Sequence, residues 1–231
     1  MQNRLCIIPA RGGSKRIPRK NIKNFLGKPI IAYSIESAIN SGLFTEIMVS
    51  TDDSEIADIA IQYGAVVPFM RSKENANDHA TTMQVLIEVI DAYTAKGCSF
   101  DQFCCIYPTA PFVTEKTLKD AFGLFDRNNF DSLFPVMKYS FPIQRSLKKN
   151  IDSMLTYSFE ETKNMRSQDL SDRFHDAGQF YWFKKEVLET DSIVTARTGG
   201  IEINELQGQD IDSDMDWKLA EMKYELLQSI K

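Results

Sequence analysis

RLCIIPARGGSKRIPRKN, Arg4 to Asn21, joins a short apolar run to a glycine-containing turn with five basic residues and no acidic one between Arg11 and Lys20. A continuous apolar run of this length suits a strand buried on both faces, as in a parallel sheet. Such sheets bind ligands beyond the carboxyl ends of their strands, which is where this strand would deliver the loop. Gly12 and Gly13 permit tight curvature and let backbone N–H groups approach an anion. Arg11 offers a fork suited to phosphate oxygens, and Lys15 and Lys20 add point charges. A triphosphate would relieve the mutual repulsion of the cluster. Taken singly, Arg16 and Arg19 are equally well read as solvated. The loop fits neither the GxxxxGK[ST] nor the GxGxxG phosphate-binding pattern.

Outward from this loop, strand-like runs alternate with helical periodicity, which predicts an α/β fold with a mainly parallel sheet. KPIIAYSIESAINSG reads as a helix with Pro29 at its start and Gly42 past its end. EIMVST is a strand, followed by a helix capped by Asp53 or Ser54 and stopped at Gly64. AVVPFM predicts a third, short strand. Met83, Leu86, Ile87, Ile90 and Tyr93 share one face of the next predicted helix. QFCCIYPTAP, DSLFPVM, AGQFYWF and GGIEINE predict further strands, and TEKTLKDAFGLFDR a helix. DMDWKLAEMKYELLQSI predicts a last helix capped by Asp214 or Asp216. From about 138 to 175 the pattern loosens into a polar and aromatic excursion from the sheet, within a single domain spanning 1–231. Phe141, Tyr157 and Phe159 are its exposed aromatics.

The 231 residues, 43% hydrophobic and 26% charged, are ordinary for a globular domain. A net charge of −5 argues against general nucleic-acid binding. No apolar stretch approaches the roughly 20 residues of a membrane span, and the first residues lack a signal core. A cytoplasmic protein with no membrane partner is expected. Cys6, Cys98, Cys104 and Cys105 match no paired zinc spacing and read as free thiols, three of them in or beside strands. Two histidines, His79 and His175, exclude a multi-histidine metal site. In GQDIDSDMDW, Asp210, Asp212, Asp214 and Asp216 recur at every second position, so an extended backbone would bring several carboxylates to one face. A cation such as Mg2+ would reconcile them; a solvated acidic turn or helix caps would equally account for them.

The segment PARGGSKRIPRKN resembles the ARxxSKxxPxKN signature of the cytidylyltransferases that make CMP-linked acidic sugars, matched by Arg11, Ser14, Lys15, Pro18, Lys20 and Asn21. The resemblance implies a Rossmann-like, nucleotidyltransferase-type fold that wraps CTP in the loop from Ala10 through Gly12, Gly13 and Ser14. It implies phosphate roles for Arg11 and Lys20 and a nucleotide contact for Asn21. In FMRSKENANDHATT, Arg71 and Thr82 stand where the family contacts cytosine. The pair Asp210 and Asp212 stands at the family's metal-binding carboxylates, implying Mg2+. The implied chemistry is attack of a sugar's anomeric hydroxyl on the α-phosphorus of CTP, without an obvious protein base.

At the sugar end this chain departs from the sialic-acid relatives. Tyr107 of YPTAP replaces their Gln, Gln144 of SFPIQR stands near their Lys, and HDAGQFYW keeps Tyr181 while adding His175 and Gln179. These phrases resemble the pseudaminic acid branch of the family, whose substrate is an acidic nine-carbon sugar with acetamido and methyl groups that suit an aromatic pocket. Legionaminic or N-acetylneuraminic acid is the alternative. In the family the 138–175 region is a dimerisation arm, implying a homodimer. A regulatory CTP-binding module would not need the carboxylate pair, and a nucleic-acid-binding domain would need a second basic patch.

Overall fold

The computed structural model describes residues 3–190 and 192–230. The first half of the chain forms β1 (Arg4–Pro9), β2 (Asn24–Phe25), β3 (Lys28–Pro29), α1 (Ile30–Ser41), β4 (Glu46–Ser50), α2 (Ser54–Gln62), α3 (Thr82–Ala95) and β5 (Gln102–Ile106). Then come α4 (Glu115–Arg127), β6 (Ser132–Lys138), β7 (Leu147–Lys149), β8 (Leu155–Tyr157), β9 (Phe174–Asp176), β10 (Phe180–Phe183), β11 (Thr198–Glu202) and α5 (Asp214–Ser229). The main sheet runs in the order β11-β6-β10-β5-β1-β4, with β9 paired to β6. It is mixed: β10 is antiparallel to β5 and β6, and β9 is antiparallel to β6, while the other neighbours run parallel.

The apolar run of β1 is continuous because both faces of the sheet are covered. Cys6 and Ile8 pack with Ile31, Ile35, Ile56, Leu118 and Phe125 of α1, α2 and α4. Leu5 and Ile7 pack with Leu86, Val89, Ile90 and Tyr93 of α3 on the other face. The two-residue alternation of β10 splits in the same way, Phe180 and Trp182 to the first cluster and Tyr181 and Phe183 to the second. Trp182 stacks on Phe44 with ring centroids 5.1 Å apart, and truncating so buried a ring costs about 3–5 kcal/mol. A third cluster seats Trp217 and Ala220 of α5 on Phe25, Ile30, Tyr33 and Phe112, with Ile211 beneath them. That packing brings the 210–212 segment beside the basic loop.

Pro29 and Gly42 bound α1, Gly42 in the left-handed region at φ 63°. Asp53 caps α2, its carboxylate accepting from Ile56 N–H at 3.1 Å. Four sequence expectations change. The strand expected at AVVPFM reduces to one parallel bridge, Val66 to Met48. The inward face of α3 is Val85, Leu86, Val89, Ile90 and Tyr93; Ile87 is 37% exposed and Met83 only partly covered. Ser213, not Asp214 or Asp216, caps α5, and Asp216 completes its capping box. Lys138, Phe174 and His175 lie within the sheet ladder, so the excursion comprises 139–173. It contains the hairpin β7–β8 and short 3-10 turns, and it exposes Phe141 (85%) and Ile151 (98%). Cys6, Cys104 and Cys105 are buried free thiols, and Cys98 is exposed.

Candidate active site

β1 and β5 end side by side, and their following loops enclose a cavity of about 240 Å3 lined by Arg11, Ser14, Lys15, Arg16, Lys20, Asn21, Arg71, Thr82 and Tyr107, among others. The loop is built rather than slack. The Asn21 amide donates to the Arg11 carbonyl at 2.9 Å, and the buried Ala10 N–H donates to the Ser50 carbonyl at 2.9 Å. Gly12 packs tightly: a Cβ there would stand 2.6 Å from Asp53 Oδ2 and force that side chain to shift. Its N–H donates to Asp52 Oδ1 at 2.9 Å, so it is already engaged and does not join an anion cradle in this structure.

The repulsion expected among the loop cations is relieved by the chain's own carboxylates. Asp78 meets Arg11 at 2.8 Å and also pairs with Lys15. The Lys15 ammonium above all, with Arg11, holds the Asp78 carboxyl below its usual range. Asp212 meets Arg16 at 2.8 Å and Lys20 at 3.6 Å, while the Lys20 ammonium donates to the Ile211 carbonyl at 2.7 Å. Arg19 turns away from the cavity to Asp53 and Glu55. The loop is thus clasped by three acidic segments distant in sequence.

Arg71 is 8% exposed. Its guanidinium donates to Ser50 Oγ at 3.0 Å and to the Ser50 carbonyl, and burial lowers its proton affinity while Asp52 and Glu88 partly restore it. Burial also pushes Glu88 up, but hydrogen bonds from Ser72 and Asn75 hold it below its usual value and pin the 72–75 turn. Thr82 and Tyr107 approach through their hydroxyls at 3.3 Å, and burial raises the Tyr107 phenol.

Two further cavities follow, the first sharing Thr82 and Tyr107 with the cavity above. Thr82, Met83, Leu86, Tyr107, Tyr181 and Ile193 contribute to one of about 310 Å3. Asp176 borders it and also a larger cavity of about 560 Å3, with Tyr139, His175, Asp210 and Lys223. The Tyr181 hydroxyl donates to Asp176 Oδ2 at 2.7 Å, and burial drives that phenol strongly up.

Tyr107 and Tyr181 therefore line one cavity and His175 another, with Asp176 bordering both, whereas two other sugar candidates line neither. Gln144 is buried inside the excursion, its amide donating to the Ser171 carbonyl at 2.8 Å, and it borders a separate cavity there. The Gln179 amide turns inward to the Gln207 carbonyl. Sequence reasoning missed Asp78, Asp176 and Lys223. Asp78 lies inside FMRSKENANDHATT, but nothing local marks it as a partner of the loop.

Asp210 and Asp212 flank the buried Ile211, and each borders or pairs with the lining of a different cavity. Among the described residues no three His, Cys, Asp or Glu side chains form a metal-binding group. Two hard oxygen donors fit a divalent cation that keeps water and takes substrate phosphates, and they do not fit a cage made by protein alone. No described helix is long and apolar enough to cross a membrane.

The cytidylyltransferase family matches over residues 5–204. The pseudaminic acid cytidylyltransferase of Campylobacter jejuni subsp. jejuni serotype O:23/36 (strain 81-176) is 42% identical over 223 residues, covering 96% of each chain. The CMP-N,N'-diacetyllegionaminic acid synthase of Legionella pneumophila subsp. pneumophila is 33% identical, covering 97% of each chain. In fold, the solved structure of CMP:2-keto-3-deoxy-manno-octonic acid synthetase complexed with CTP is similar at a TM-score of 0.68 and 18% identity, over 98% of this chain and 99% of that one.

Proposed function

This chain belongs to the cytidylyltransferase family, and on that premise we propose that it transfers CMP from CTP to the anomeric hydroxyl of pseudaminic acid, releasing pyrophosphate. The observation that carries the choice of sugar is the 42% identity to the Campylobacter pseudaminic acid enzyme, against 33% to the legionaminic acid synthase. In the reaction the anomeric oxygen forms a bond to the α-phosphorus, the bond from that phosphorus to the bridging oxygen breaks, and the hydroxyl proton passes to solvent. Legionaminic acid in the same reaction is the second reading, favoured by that 33% relative.

Arg11 and Lys20 hold the triphosphate in this proposal, with Ala10, Gly12, Gly13 and Ser14 shaping the loop and Asn21 keeping it in place. Phosphate oxygens exchange with Asp78 and Asp212 for these cations, so charge is balanced before and after binding. Arg71 and Thr82 meet the nucleoside. Tyr107, Tyr181 and His175 face the sugar, whose acetamido methyls suit the Met83, Leu86 and Ile193 wall. Gln144, buried within the excursion, would serve the site of a second copy, which fits a homodimer. Asp210 and Asp212 would hold Mg2+, which when bound supplies neutralisation of phosphate charge and acidifies the attacking hydroxyl. The protein's own contribution is alignment and fixed positive charge. An enzyme supplied with CTP in this way would work in the cytoplasm.

The test is mass spectrometry of the product formed from CTP, Mg2+ and pseudaminic acid. A CMP-linked sugar acid is expected; unchanged CTP would contradict the proposal.

A further inference from the structure

The 560 Å3 cavity is lined by three carboxylates, Asp176, Glu205 and Asp210, and by the cation Lys223, which makes no ion pair with a described residue. Lys223, half-buried on α5, donates from its ammonium to the carbonyls of Glu205 at 3.0 Å and Gly208 at 2.9 Å, and no carboxylate lies within ion-pair distance among the described residues. An ammonium has three donors, so these two bonds anchor the group and leave one for the cavity it lines. The other lysine there, Lys138, is matched by Asp172 at 2.7 Å. Burial lowers the proton affinity of Lys223, with Glu205 offsetting part of the effect, as befits a charge awaiting a counter-ion. Asp210 borders the same cavity, and the rings of Tyr139 and His175 pack with centroids 4.9 Å apart in its wall.

We propose that Lys223 receives the carboxylate of the sugar acid. This rests on the CMP-transfer reading and adds an orientation to it. The carboxylate is bonded directly to the anomeric carbon, so anchoring it at Lys223 holds the reacting carbon at the Asp210 end of the cavity. The tail of the sugar then extends toward Tyr139 and His175. Pyrophosphate, the other anion of the reaction, is served by the loop cations around the first cavity and does not need Lys223.

The test compares Lys223→Gln, which keeps donors for the two carbonyls but removes the charge, with Lys223→Arg, which keeps the charge. Pyrophosphate release is measured against pseudaminic acid, against its methyl ester, and against CTP. Lys223→Gln is expected to raise KM for pseudaminic acid about 10- to 100-fold, the range for losing a charge-assisted hydrogen bond, with KM for CTP nearly unchanged. Lys223→Arg should recover most of the loss. The wild-type preference for free acid over ester should vanish in Lys223→Gln. An unchanged sugar KM, or equal rises for sugar and CTP, would overturn the assignment while leaving the proposed reaction standing. Wild-type protein inactive on pseudaminic acid would instead overturn the reaction, and the carboxylate assignment with it.

Discussion

The carboxylate of Asp78 bridges two cations of the phosphate-type loop, standing 2.8 Å from the Arg11 guanidinium and pairing with the Lys15 ammonium as well. It comes from the 72–80 segment, between the buried Arg71 and the start of α3. In the proposed reaction Asp78 therefore competes with a triphosphate for Arg11. Removing its charge by Asp78→Asn should lower KM for CTP about 2- to 5-fold, the scale of an exposed ion pair, and the gain should shrink as salt is raised. A higher KM would mean that Asp78 orders the loop for binding instead of guarding it.

Asp210 and Asp212 are expected to separate in a mutational test. Asp210→Asn should cut kcat at least about 100-fold while CTP still binds, because Asp210 pairs with no loop cation. Asp212→Asn should also change CTP affinity, since it releases Arg16 and Lys20 from a carboxylate. Titration of CTP by calorimetry, beside kcat from pyrophosphate release, distinguishes the two. Full activity of Asp210→Asn would remove the metal assignment.

Asp53 joins the loop to α2, because one carboxylate caps the helix and pairs with Arg19. The bond from Arg19, above all, depresses the Asp53 carboxyl below its ordinary 3.8. A depressed carboxyl stabilises the fold above its unfolded value and loses that contribution as pH falls through the folded value. Asp53→Ala should therefore cost about 1–2 kcal/mol at neutral pH, the usual loss for an N-cap. The difference from wild type in thermal melts should narrow below about pH 4. A difference that stays constant with pH would show that the charge is irrelevant.

The excursion over 139–173 bears on assembly. Phe141 and Ile151 project almost fully into solvent from a segment that leaves the sheet, an arrangement that suits contact with a second copy. Phe141→Asp with Ile151→Asp should convert a dimer to a monomer by sedimentation. A wild-type monomer would contradict the homodimer.

Local chemistry made much of the fold legible. The run Leu5–Ile8, Pro29 and Gly42 around α1, and Asp53 before α2 each carry their signal within a few residues. Features set by distant packing were not legible. Val66 makes only a bridge because it lies at the edge beside β4, where no further strand follows. Ser213 outranks the neighbouring aspartates as a cap because Asp216 accepts from its backbone N–H in return, a reciprocity that the alternating carboxylates of the run obscured. In the candidate site the motif pointed to Arg11, Ser14, Lys15, Lys20, Asn21 and Arg71, which line one cavity. The acidic partners Asp78 and Asp212 and the solitary ammonium of Lys223 depend on tertiary contacts. Gln144 and Gln179 read as sugar contacts from their place in recurring phrases, yet each meets a backbone carbonyl within the fold.

The most direct measurement is initial-rate pyrophosphate release from CTP and Mg2+ with pseudaminic, legionaminic, N-acetylneuraminic and 3-deoxy-manno-octulosonic acids offered in parallel. Release with pseudaminic acid, at a kcat/KM well above that for each of the others, is the predicted result. Comparable or faster release with another acid would contradict the sugar assignment, and no release with any of the four would contradict CMP transfer to these sugar acids.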